Sequence, residues 1–346
     1  GRLIEVPVSP RALLAPLISP AGKLRALAEP LVHPREADGD ESLAQLMRRR
    51  LGREAGSLAA TVMAAGVYAG DPERLSARGA FPRLVALEES AGSLVRGGLR
   101  RARAGSAGRG TTHLPVEGMA GLAEGLARWL GDGWRPGFPV TGLGRREGGW
   151  LVTGTEELAA EHVVLALAPL DAARLVPEEV AAVLARAVAA PVAVVGLGGR
   201  TADLPVPLGI GVLPGPGSGL RVRGFLFESR YAPGRAPDRH TLVKAVYGGG
   251  PEPEAVDQDD ESLIGLAGEE LGRVIGIPVY PSWARVIRHR PGIPQYQVGH
   301  PAWLAELDRA RAAHPGLHLA GWGYRGVGLT ALAEEAVRLG ALIGGA

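Results

Sequence analysis

The stretch that most narrows the fold lies near the C-terminus: LHLAGWGYRGVGLTALAEEAVRLGALI, from Leu317 to Ile343. Its opening apolar run, ending at Ala320, predicts a buried strand. The charged and apolar spacing from Ala331 to Leu342 predicts a helix. A glycine-rich turn therefore joins strand to helix. Such a turn aims backbone N–H groups beyond the sheet edge, where a phosphate is commonly held. A tight turn without any ligand is the plainer alternative in a chain holding 52 glycines.

The chain has 346 residues, 46% of them hydrophobic, enough for a large core and two or three domains. It contains no cysteine, which removes disulfides, thiolate nucleophiles, Cys-ligated zinc and iron–sulfur centres. Any redox chemistry must then come from a bound cofactor. The eight histidines show no H-E-x-x-H pair or other ligand spacing, so no metal centre is expected. A formal net charge of +2 argues against a dedicated nucleic-acid binder. No stretch approaches the roughly 18 apolar residues of a membrane span, and the first residues lack the regions of a signal peptide.

Residues 1–8, GRLIEVPV, read as a strand. Helical pattern follows over DESLAQLMRRRLG, with Asp40 as N-cap and a stripe of Leu43, Leu46, Met47 and Leu51. Arg48, Arg49 and Arg50 lie off that stripe, as a solvated face or as a surface for lipid or a partner. A turn is expected at Gly70-Asp71-Pro72. Residues 96–109, with Arg96, Arg100, Arg101, Arg103 and Arg109 among small residues, read as a mobile loop. After residue 111 the pattern turns to α/β and α+β. VEGMAGLAEGLARWLG predicts a glycine turn and helix, FPVTGLGRREGGWLVTG a pair of strands, HVVLALAP a buried strand and PEEVAAVLARAV a helix. VAVVGLGG, LGIGVLP, RVRGFLFES and TLVKAVYGGG predict a multistranded sheet. A helix capped by Asp259 or Asp260 and a strand near Trp283–Arg288 precede the opening motif.

Two glycine motifs lead elsewhere than they suggest. VAVVGLGGRTAD has Gly196, Gly198 and Gly199 after a strand, but Pro205 and Pro207 follow where a dinucleotide fingerprint needs its helix. GVLPGPGSGL lacks the Lys-Ser/Thr of a phosphate loop and reads as a hairpin connection. No G-x-S-x-G elbow or serine triad is distinguishable, and the acidic residues fall on helix faces and turns. The absence of a clear protein nucleophile suits a cofactor enzyme.

Five stretches together resemble the protoporphyrinogen oxidase family of amine-oxidase-like FAD flavoproteins: GVYAGDPERLSARGAFPRLVALE at 66–88, VEGMAGLAEGLARWLG at 116–131, FLFESRYAPGRAP at 225–237, IPQYQVGH at 293–300 and LHLAGWGYRGVGL at 317–329. The resemblance spans nearly the whole chain. It implies an FAD domain from 111–185 and 296–346, a mixed-sheet substrate domain from 186–295 to which the strand at 1–8 would belong, and a helical, membrane-facing domain from 9–110. The FAD domain would be incomplete, because the chain starts beyond the βαβ unit that holds FAD's pyrophosphate in relatives. A fragment, a complementing N-terminal polypeptide, or loss of FAD binding would each account for that. The last motif also departs from relatives, with Trp322-Gly323-Tyr324 for their Asn-Ala-Tyr and Thr330-Ala331 for their Asp-Cys.

Carried over residue by residue, the resemblance implies cofactor contacts at Gly118, Met119, Val140, Gly323, Tyr324, Gly326, Val327, Gly328 and Leu329. It places Gly66, Leu213, Leu226 and Val246 against the tetrapyrrole. No catalytic side chain is implied. The implied reaction is oxidation of protoporphyrinogen IX to protoporphyrin IX in haem biosynthesis, by hydride transfer to the flavin with oxygen as acceptor. Coproporphyrinogen III oxidation and a non-catalytic or partner-dependent tetrapyrrole binder are the alternatives. Arg221, Arg223, Arg230 or an arginine outside this chain would meet the substrate's propionates. The expected setting is the cytoplasm, with the arginines at 48–50 and 96–109 as a contact to anionic lipid at the inner face of the cell membrane and a homodimer left open.

Overall fold

The computed structural model describes residues 3–5, 15–35, 39–104 and 113–344. The chain forms two compact units, one from residues 1–110 and 189–298, the other from 111–188 and 299–346. Of the strand expected over 1–8, only residues 3–5 are described, and they belong to no strand.

The first segment is helical: α1 (Pro20–Leu27), α2 (Leu43–Leu51), α3 (Arg53–Tyr68), α4 (Ala77–Ala80), α5 (Pro82–Ala91) and α6 (Leu94–Arg103). Asp40 is not the cap of α2. Ser42 is, in a capping box with Gln45, while Asp40 accepts the Ser76 hydroxyl at 2.8 Å. Helices α2 and α3 pack so closely that a Cβ on Gly56 would lie 2.3 Å from the Met47 carbonyl oxygen, and Ala60 and Ala64 are fully buried. Small residues allow this approach.

The arginines of α2 do not form one solvated or lipid-facing surface. Arg50 is wholly buried, bonded through Nε to Glu29 at 2.6 Å and through its other nitrogens to the carbonyls of Val32 and Gly92, both at 3.0 Å. Arg49 bridges Glu88 at 2.6 Å and Glu41 at 2.7 Å. Only Arg48 of the three pairs at the exposed surface, with Glu73. A buried charge is tolerable when its bonding groups are met, and Glu29 answers Arg50 while accepting the Ser93 hydroxyl and the amides of Leu94 and Val95.

That carboxylate also explains why the loop expected over 96–109 is helical as far as Arg103. Ser93 caps α6, Glu29 receives its first amides, and a Cβ on Gly97 would stand only 2.6 Å from the Leu87 carbonyl oxygen, so α6 lies tight on α5. Composition suggested too little apolar content, whereas capping and one close glycine contact supply the order. Residues 105–109 lie outside the described residues.

The chain then contributes to the second unit α7 (Met119–Leu130), the antiparallel strands β1 (Gly142–Arg146), β2 (Gly149–Thr153) and β3 (Glu157–Ala160), β4 (Val163–Leu165), α8 (Pro169–Ala172) and α9 (Glu178–Leu184). It returns to the first unit for β5 (Ala189–Arg200), β6 (Gly211–Val212), β7 (Gly224–Leu226), α10 (Glu228–Tyr231), β8 (His240–Gly248), α11 (Asp260–Ile275, capped by Asp259) and β9 (Trp283–Pro294). Finally α12 (His300–Ala312), β10 (Leu317–Leu319) and α13 (Leu329–Ile343) complete the second unit.

In the first unit a five-stranded antiparallel sheet has the order β6-β7-β8-β5-β9. Alternate residues Ala193, Val195, Leu197, Val243, Ala245, Tyr247 and Phe225 pack with Leu263, Ala267 and Leu271 of α11, the period-2 pattern of a sheet with one covered face. In the second unit β4 and β10 pair in parallel. Its core gathers Trp150, Leu165, Val180, Leu184, Leu307, Leu317 and Tyr324, with the Trp303 indole donating to the Val183 carbonyl at 2.9 Å.

Candidate functional site

Two of the quoted motifs, more than two hundred residues apart, interlock in the first unit. Helix α3 ends at Ala69, a non-glycine residue at φ +43°. Gln295 donates from its side-chain amide to the Tyr68 carbonyl at 2.9 Å, Tyr296 packs its ring 5.7 Å from that of Tyr68, and the Ser76 amide donates to the Tyr296 carbonyl at 2.7 Å. From a third segment the Gly250 amide reaches the Ala69 carbonyl at 2.8 Å. A Cβ on Gly249 would lie 2.0 Å from that same oxygen, and Gly249 sits at φ +80°, so only glycine passes here. The motif I-P-Q-Y thus fixes where α3 ends.

This anchoring matters because Gly66, two residues before Tyr68, faces β-sheet residues. A Cβ built on Gly66 would be 3.5 Å from Leu213, whose other methyl would be 2.9 Å from a Cβ on Gly224. The registers Gly224↔Val246, Val246↔Val194 and Val194↔Ile287 run one row across the sheet. The next row is Leu226↔Lys244, Lys244↔Gly196 and Gly196↔Arg285. Directly paired residues share a face, and these alternate with the core residues above. Gly66, Leu213, Leu226 and Val246 are therefore brought to the sheet face opposite α11. Leu213, Leu226, Ile287 and Trp283 there are exposed, at 41%, 40%, 45% and 51%. Four large apolar side chains thus stand exposed on one sheet face, the kind of apolar patch that marks interaction sites.

The cofactor-turn residues lie in the second unit. The glycine turn leaves the carboxyl end of β10, beside that of β4, where a Cβ on Gly321 would be 3.6 Å from the Leu167 carbonyl oxygen. Ligands of parallel sheets bind outside such strand ends. Gly323 needs its φ of +114°, and a Cβ on Gly326 would meet that of Ala331 at 2.5 Å. Gly328 differs, standing as the N-cap of α13 at φ −92° with no side-chain cap and no neighbour within 4 Å of a built Cβ. The N-terminus of this fifteen-residue helix thus lacks a side-chain cap and has room beside Gly328, a start that suits a phosphate-bearing group. Val327 is half-buried and Leu329 exposed beside it.

Tyr324 points elsewhere. It is buried against Trp303 with ring centroids 6.4 Å apart, and its hydroxyl has no hydrogen-bond partner among the described residues. Burial raises its pKa above the usual phenol range. Its carbonyl accepts from His300 Nε2 at 2.8 Å, and the Gly321 amide donates to Glu335 at 3.2 Å, so α12 and α13 each hold the turn. Gly118 caps α7 at φ +83°, Met119 is exposed on its first turn, and Val140 is exposed ahead of β1.

The residues sequence reasoning passed over are Gln295 and Tyr296 as the junction, and Lys244, Trp283 and Arg285 on the open face. For Trp283 and Arg285 the signal was the alternation in W-A-R-V-I-R-H, since residues 283, 285, 287 and 289 share a face. Among the described residues no cluster of three metal-ligating side chains occurs, and no helix is long and apolar enough to cross a membrane.

The flavin containing amine oxidoreductase family model matches residues 1–340. Protoporphyrinogen oxidase of Homo sapiens is 31% identical over 97% of this chain and 76% of its own length. Coproporphyrinogen III oxidase of Bacillus subtilis is 28% identical, over 90% and 69% respectively. In structure, a candidate protoporphyrinogen oxidase from Exiguobacterium superposes with a TM-score of 0.75 at 22% identity, covering 98% of this chain and 75% of its own. Cyclohexylamine oxidase from Brevibacterium oxydans gives 0.60 at 18%, covering 93% and 76%, so the fold is shared well beyond porphyrin chemistry. The chain belongs to the flavin-containing amine oxidoreductases, closely related to the protoporphyrinogen oxidases among them.

Proposed function

We propose that this FAD-dependent oxidoreductase converts a porphyrinogen to its porphyrin, with the open face of the five-stranded sheet holding the macrocycle. The observation that carries the reading is the convergence of Gly66, Leu213, Leu226 and Val246 on that face. A large flat ring loses water to bind there, which the exposed leucines, Ile287 and Trp283 favour. Bound FAD would supply the hydride acceptor that no side chain of the chain provides. The free first turn of α13 and the glycines before it would hold its anionic portion. Gly118, Met119 and Val140 would meet the rest.

On this reading the protein's own work is positioning and exclusion of water. The chemistry that FAD would supply there is removal of hydride from bridge carbons as ring nitrogens lose protons, with oxygen as final acceptor. Arg96, Arg100, Arg101 and Arg103 are exposed on α6 together with Val95 and Leu99, a combination suited to anionic lipid at a membrane surface.

The test is fluorescence. FAD-loaded protein should turn non-fluorescent protoporphyrinogen IX or coproporphyrinogen III into fluorescent porphyrin far faster than spontaneous oxidation. Flavin-loaded protein that accelerates neither defeats the proposal.

A further inference from the structure

The open sheet face is apolar in one cross-strand row and charged in the next. Lys244 and Arg285 flank Gly196 in that second row, and the Trp283 ring approaches Gly196 closely, 3.1 Å from where a Cβ would stand. Across two strand spacings the two cations are roughly 10 Å apart at their backbones. Lys244 is engaged, its ammonium 3.0 Å from Glu228, a buried carboxylate that also receives the Tyr231 hydroxyl at 2.5 Å. Arg285 has no ion pair or hydrogen bond through its guanidinium among the described residues.

The three arginines read from the sequence as propionate partners are each occupied. Arg221 is paired with Glu252, Nε to carboxylate at 2.7 Å. Arg223 folds onto the Arg221 carbonyl at 2.9 Å, and Arg230 onto the Val206 carbonyl at 3.0 Å. A guanidinium left open between Trp283 and Ile287 is costly to cover with an apolar substituent, because it would lose water and gain nothing. It is favourable to cover with a carboxylate, which the planar fork meets bidentately.

Resting on the porphyrinogen reading, we propose that Arg285 receives a peripheral carboxylate of the bound macrocycle and sets substrate choice. It favours the ring bearing four carboxylates, coproporphyrinogen III, over protoporphyrinogen IX, which has two and carries vinyl groups in place of the others.

The experiment compares FAD-loaded wild type, Arg285→Leu and Arg285→Lys on both porphyrinogens by initial rate of porphyrin fluorescence. Wild type should show the higher kcat/KM on coproporphyrinogen III. Arg285→Leu should raise KM for that substrate about tenfold or more, the loss of a charge-assisted hydrogen bond, with kcat within about twofold. It should change KM for protoporphyrinogen IX by less than about threefold, and Arg285→Lys should recover part of the difference. Arg285 is exposed on the edge strand β9, so folding should survive; FAD content and melting temperature check this. Equal KM changes on the two substrates, or none, overturn the assignment. Wild type inactive on both would instead defeat the porphyrinogen reading itself.

Discussion

Gly328→Asp should move two properties in opposite directions. Gly328 has the extended conformation of an N-cap, at φ −92° and ψ 150°, with empty space where a side chain would project. Aspartate is a preferred N-cap and gains a few tenths of a kcal/mol over glycine there. Its charge adds about 0.3–1 kcal/mol against the helix dipole. The cofactor-free protein should therefore be more stable by about 0.5–1 kcal/mol. A bound phosphate would sense the same carboxylate as repulsion. Two unit charges about 6 Å apart at an effective dielectric near 20 repel by about 3 kcal/mol, roughly a hundredfold in dissociation constant. The assays are chemical unfolding of cofactor-free protein and FAD titration by fluorescence quenching. Unchanged FAD affinity in a protein of equal or greater stability would refute the assignment of this turn to the cofactor.

Gly249→Ala should cost about 1–3 kcal/mol in urea unfolding, since its Cβ meets the Ala69 carbonyl and its φ is positive. Glu29→Gln should cost about 3 kcal/mol by the same method, the lower end for breaking a buried pair, because Glu88 at 3.3 Å remains as a second carboxylate for the buried Arg50. Burial raises the Glu29 pKa, but the Ser93 hydroxyl, the Leu94 amide and Arg50 bring it below the ordinary 4.5. Its stabilisation is thus complete above that value and is lost as pH falls through the lower folded-state pKa; acid unfolding curves of wild type and Glu29→Gln should converge there. His318 also loses stability toward acid, because the fold favours its neutral form. Burial, Arg311, His162 and Arg338 lower its pKa from 6.5, so the unfolded chain takes up a proton first and stability falls as pH drops below 6.5; His318→Phe should reduce that slope in unfolding free energy measured between pH 7.5 and 5.5.

Much of the architecture is legible along the chain because it rests on local pattern. The strand, glycine turn and helix of the C-terminal motif stand as β10, the turn and α13, and the four apolar runs after residue 191 stand as β5 to β8. What sequence misjudges is decided at a distance. Arg50 looks like its neighbours Arg48 and Arg49, and it is Glu29 and Glu88, twenty-one and thirty-eight residues away in the chain, that make its burial possible. The residues from Leu94 to Arg103 look too polar to order, yet a cap at Ser93 and one glycine against Leu87 suffice. At the candidate site, motif order pointed to the residues on the open face and in the turn. It did not point to Arg285, because a cation's availability depends on which carboxylates and carbonyls the fold places beside its competitors.

The most direct test of the account is anaerobic mixing of FAD-loaded protein with porphyrinogen while the oxidised-flavin absorption band is followed. That band should bleach rapidly, with porphyrin absorption growing as oxygen is admitted. A band that persists while the porphyrinogen is demonstrably bound would contradict it.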